Sequence, residues 1–156
     1  MSEQKQTLTI QQAIDLGVQH HNAGRLPEAE NIYQQILQTN PDQPVALHLL
    51  GVIAHQVGKN DTAVDLIARA LALNPELAEA HSNLGLALQD LGKSEDAIAS
   101  YRKALALNSN FAEAHNGLGN ALRSLGNQEG AIASYQKALA LKPYLAEAHY
   151  NLVVPV

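Results

Sequence analysis

The chain is expected to fold as an all-α solenoid of tandem helix pairs. Three observations predict it. Gly17, Gly51, Gly85 and Gly119 stand 34 residues apart, and so do Gly24, Gly58, Gly92 and Gly126. Eight of the ten glycines thus lie on two ladders with one period, the mark of an internal repeat. Within each period, apolar residues recur at helical spacing. Aromatic residues are only 4% of the chain, sparse for a compact aromatic core or a stacking site.

With position 1 at Ile10, Pro44, Ala78, Ala112 and Ala146, the chain divides into a tail, 1–8, four full units and a partial fifth. The units run 10–43, 44–77, 78–111 and 112–145, and residues 146–156 begin a fifth. The first unit opens with Thr9 and, three residues on, Gln12, a capping-box pattern. In the third unit Ala80, Leu84, Leu88 and Leu91 trace one helical face, and Gly92 stops that helix at a position where positive φ is cheap. Ser94 suits the N-cap of a second helix, with Glu95 and Asp96 in its first turn. Ala97, Ile98, Tyr101, Ala104 and Leu105 form the second helix's apolar stripe. Pro41, Pro75 and Pro143 follow second helices, where helices commonly end, and Ser109 replaces the proline in unit three. Glycine at position 8 and alanine at 20 and 27 let antiparallel helices approach closely. No unit buries its stripe alone, so neighbours must stack.

These residues resemble the tetratricopeptide repeat family. Leu84-Gly85, Gly92, Ala97, Tyr101 and Ala104, with their equivalents one period away, carry the resemblance over about 10–152. It departs at position 4, where Ala13, Leu47, His81, His115 and His149 replace an aromatic residue. Ala78-Glu-Ala-His-Ser-Asn-Leu-Gly85 is similar to the repeats of protein O-linked N-acetylglucosamine transferases. The resemblance implies a right-handed superhelix that binds proteins or peptides in a concave groove lined by the first helices.

Units three and four match at 21 of 34 positions. In the first helix the mismatches fall at positions 5, 6, 9, 12 and 13, one stripe along a helix. This stripe differs while the Ala, Leu and Gly framework is held, so it is expected to bind the ligand. Units one and two present an apolar, histidine-bearing stripe, with His21, His48, Val52 and His55. Units three to five present Glu79, Asn83, Leu86 and Gln89, then Asn116, Asn120 and Arg123, then Asn151. Asparagine amides both donate to and accept from a peptide backbone. Carboxylates and amides against one arginine suggest a peptide with basic and apolar character. Gly117 interrupts the asparagines and reads as a gap in the binding surface. Gly130 has no account in the repeat.

The remaining features narrow the class. Without cysteine there is no disulfide or thiolate site, and a net charge of −5 with scattered Lys and Arg argues against nucleic acid or a membrane. The polar N-terminus shows no signal peptide, so a soluble, cytoplasmic protein is expected. Same-position histidines such as His21 and His55 sit about 10 Å apart between stacked units, too far to share a metal. His81, His115 and His149 read as an apolar body with the polar tip outward. No cofactor, metal or catalytic constellation is expected. The fifth unit ends Leu152, Val153, Val154, Pro155, Val156, an apolar end that suggests a capping helix and self-association into a homo-oligomer. The expected function is non-catalytic peptide or protein binding. The alternatives are a substrate-recruiting segment of a larger enzyme, such as a glycosyltransferase, and a self-associating scaffold.

Overall fold

A computed structural model describes residues 7–145, in which eight α-helices and no strand occur. They are α1 (Ile10–Asn22), α2 (Leu26–Thr39), α3 (Pro44–Gln56), α4 (Asn60–Leu73), α5 (Ala78–Asp90), α6 (Ser94–Leu107), α7 (Ala112–Ser124) and α8 (Gln128–Leu141). Each unit pairs an odd-numbered first helix with an even-numbered second helix. Each second helix also packs on the next first helix, and α3, α5 and α7 touch in succession. The result is a solenoid in which the first helices form one continuous surface.

Local chemistry fixes the ends. At Gly92, φ is +77°, a backbone state that favours glycine. Lys93 N–H donates to Leu88 O, and Gly92 N–H to Gln89 O, both at 2.9 Å. This Schellman closure recurs at the other three ladder glycines and satisfies carbonyls that a helix end leaves open. The capping box forms: Gln12 N–H donates to Thr9 Oγ1 at 3.1 Å, and Thr9 N–H to Gln12 Oε1 at 2.9 Å. Ser94 is not the N-cap of α6. The helix starts there, Lys93 occupies the cap, and no side-chain bond is made. Unit three needs no proline to stop α6. Asn108 Oδ1 accepts from Asn110 N–H at 3.1 Å, the Asx turn that Asn74 makes with Glu76.

Gly130 gains a reason. Asn127 Oδ1 accepts from Gly130 N–H at 2.9 Å, capping α8. A β-carbon on Gly130 would come within 2.9 Å of Asn127 Nδ2, so the cap lies over the bare α-carbon.

The core runs through the stack. Ala29, Ala63, Ala97 and Ala104 have no exposed surface, nor do Tyr33, Ile67 and Tyr101. The position-8 glycines receive the position-24 side chains of their own unit. A β-carbon on Gly51 would approach Ile67 Cγ1 to 2.6 Å, and one on Gly85 would approach Tyr101 Cε1 to 2.7 Å. Close approach, rather than φ, explains this ladder.

Candidate peptide-binding face

The stripe predicted from the sequence divides by depth. Position 5 lies beneath the surface: Ile14, His48, Ser82 and Asn116 are all buried. His48 and Asn116 are therefore corrected from surface groups to seam groups between helices. Position 9 forms a row across the first three units: Val18 and Val52 are half-buried and Leu86 is 41% exposed. Asn120 takes that position in unit four.

Hydrogen bonds flank the row. His21 Nε2 donates to Gln56 Oε1 at 2.7 Å, and His55 Nε2 to Asp90 Oδ2 at 2.6 Å. Asn83 Nδ2 donates to His48 Nε2 at 2.9 Å. Each bond joins residues 35 apart, from one unit's first helix to the next. Burial pushes His48 down to about 4, which keeps its ring neutral at pH 7, and the Asn83 amide donor makes Nε2 the acceptor. These rungs were missed because a comparison at 34 residues aligns like with like. The signal was present as polar pairs one residue beyond the period.

Units three and four anchor their amides differently. Tyr101 Oη donates to Gln89 Oε1 at 3.1 Å, and Tyr135 Oη to Asn120 Oδ1 at 2.7 Å. Arg123 lies 6.0 Å above the centre of the Tyr135 ring. Gln89 and Asn120 thus each engage one lone pair of the carbonyl oxygen with the second helix.

Gly117 is not a gap. It is buried, and a β-carbon there would lie 2.5 Å from Tyr101 Cζ. The Tyr101 ring fills the space between Gly85 and Gly117. Unit two has Ile67 in place of the tyrosine, and the residue matching Gly117 is Asn83.

The period-repeated histidines also turn inward. His81 is buried, and its Nε2 donates to Pro75 O at 2.8 Å; His115 Nε2 donates to Ser109 O at 2.9 Å. The expected outward tip is overturned because each ring ties a first helix to the preceding loop. His149, Asn151, Leu152, Val153, Val154 and Val156 lie outside the described residues, so the candidate self-association end does too.

Charge is segregated. No Lys or Arg stands on α1, α3 or α5, while Asp15, Glu79 and Asp90 do. Arg123 on α7 is the one basic residue on the described first helices. Glu79 is exposed. Glu113, its counterpart in unit four, is bonded to Lys142, and that bond holds its carboxyl below the usual range. A cleft of about 140 Å³ opens elsewhere, between α2, α3 and α4, at Leu50, Ala54, Val57 and Leu66. Among the described residues no group of three or more His, Asp or Glu is placed to hold a metal ion. None of their helices is long and apolar enough to cross a membrane.

Models of the tetratricopeptide repeat match residues 11–35, 42–110 and 82–146. No curated protein matches by sequence. Among solved structures, a crystal structure of MamA is similar at 26% identity and a TM-score of 0.78, covering 94% of this chain and 82% of that one. The Cut9-Hcn1 hetero-tetramer of the APC/C gives 26% identity and a TM-score of 0.86. There the match covers 93% of this chain but 29% of the other.

Proposed function

The chain belongs to the tetratricopeptide repeat family, and from that premise we propose that it is a protein-interaction scaffold that docks a partner's peptide segment on its first-helix face. The observation that carries this reading is the surface of units one to three. Val18, Val52 and Leu86 leave an apolar row open between hydrogen-bonded rungs. Carboxylates rim it with no Lys or Arg on the same helices. The position-5 residues below are sealed, so a partner meets a pre-formed surface rather than one it must open.

An apolar row in an acidic rim favours a segment with apolar and basic side chains, by burial and by charge complementarity. Chemistry is not part of the reading. Three side-chain bonds of the face hold units together, and no nucleophile-base pair stands among them.

A peptide array of fixed length and varied charge tests this. Basic-apolar peptides should be retained and acidic ones not, with retention falling as salt rises. Preference for acidic peptides overturns the reading.

A further inference from the structure

We infer that the segment on this face is a polyproline-II strand, with an apolar residue at every third position and Lys or Arg between. This rests on the docking reading above and adds conformation and register to it.

Spacing comes first. α3 touches α5 and α5 touches α7, and the His21–Gln56 bond links α1 to α3; packed helices of this kind lie about 8–10 Å apart. Val18, Val52 and Leu86 occupy one position of three consecutive first helices and repeat at that interval. A polyproline-II helix has three residues per turn and rises roughly 9 Å per turn. Every third side chain therefore returns to the same side one repeat further on. In a β-strand, same-side chains recur at about 7 or 14 Å, and neither step fits. An α-helix fits in length, because seven residues rise about 10 Å.

Width separates these two. A docked α-helix presents an apolar stripe at least about 100° wide. The row is one side chain wide in units one and three, and in unit two half-buried Leu49 and Val45 share the face with Val52. The His48–Asn83 bond lies about one helical turn before it, and the His21–Gln56 and His55–Asp90 bonds about one turn after. These polar rungs would face the flanks of a helical ligand's apolar stripe.

Two further features suit the strand. Polyproline II has no internal hydrogen bonds, so its carbonyls need donors. Gln89 Oε1 takes the Tyr101 hydroxyl, which leaves that amide to donate. The residues between apolar positions point away from the row toward its rim, where Asp15, Glu79 and Asp90 supply negative charge. The apolar row stops at Asn120, so three apolar contacts define a ligand of about nine residues.

The test uses labelled peptides and the full chain, read by fluorescence anisotropy. Two nonapeptides share one composition of three Leu, three Pro and three Lys. One places Leu at every third position and the other at every second. A third, Ala-rich helical peptide carries Leu seven apart with Lys between. The every-third peptide is expected to bind at least ten-fold more tightly than either other peptide. Leu86→Glu should weaken it at least ten-fold with an unchanged melting curve. Val52→Thr, a milder change, serves if Leu86→Glu does not fold. Equal binding of the two nonapeptides, or tighter binding of the helical one, overturns the strand and its register. If Leu86→Glu still weakens that binding, the docking reading stands. Binding of none of the three, or binding untouched by both variants, overturns the docking reading and the strand with it.

Discussion

The join between units two and three and the join between units three and four fill the same space in different ways. At the first, a modest Ile67 leaves room for Asn83, which reaches the buried ring of His48. At the second, the larger Tyr101 takes the room, and Gly117 stands where Asn83 did. One join is filled by a polar bridge and the other by an aromatic ring against a bare α-carbon. Side-chain volume is traded across the boundary between units. The trade belongs to these two joins, for at the join of units one and two the matching positions hold Tyr33 and Leu49.

The largest effect should come from acid acting on the polar join. An unfolded histidine titrates near 6.5, whereas His48 in the folded chain titrates at about 4. Between these values the unfolded chain binds more protons. Stability is therefore fully present above pH 6.5 and falls as pH drops toward 4, by about 3 kcal/mol. Urea midpoints from pH 7 to 4 should show this loss, and His48→Leu should flatten the slope. An unchanged slope would remove His48 from the account.

The aromatic join should break by crowding. Gly117→Asn, copying unit three, is expected to cost about 2 kcal/mol because the Tyr101 ring occupies the site. Tyr101→Ile on top of it should recover at least half that loss. A double-mutant cycle in urea measures the coupling, and simple additivity would show that the two residues do not share the space.

Smaller effects separate the tyrosines. Tyr101→Phe removes the bond to Gln89 and should cost about 1 kcal/mol. Tyr33 Oη is buried with no hydrogen-bond partner, so Tyr33→Phe should be neutral or stabilising. Equal losses in thermal melts would refute the contrast. Asn127→Ala should cost about 1 kcal/mol through the lost cap of α8. The matching change Lys93→Ala should cost less, since Lys93 makes no side-chain cap bond.

Much of the scaffold was legible in the sequence, for stated reasons. A period of 34 exposes the ladder glycines, and the positive φ at Gly92 and the close approach at Gly85 are the two things glycine alone permits. The face was legible as a stripe but not in its depth. Helical periodicity says which residues share a side, not which a neighbouring helix will cover, so His48 and Asn116 were read as surface and are buried. Ser94 failed because a good capping residue also fits the first turn, and the helix starts at Ser94 with Lys93 as its cap. His81 failed because its partner is a loop carbonyl of the preceding unit, which leaves no mark on side-chain chemistry.

The packing of one unit's second helix against the next unit's first helix governs how such a chain is cut and rejoined. Tyr101 belongs to one repeat and Gly117 to the next, so neither repeat is complete in itself. Excising residues 78–111 keeps the 34-residue phase and every helix boundary, yet it sets Ile67 opposite Gly117, a modest residue against none. The shortened chain would enclose a void and melt earlier than its lost length accounts for, which a calorimetric scan would reveal. The module that can be deleted, duplicated or grafted without loss runs from the middle of one helix pair to the middle of the next.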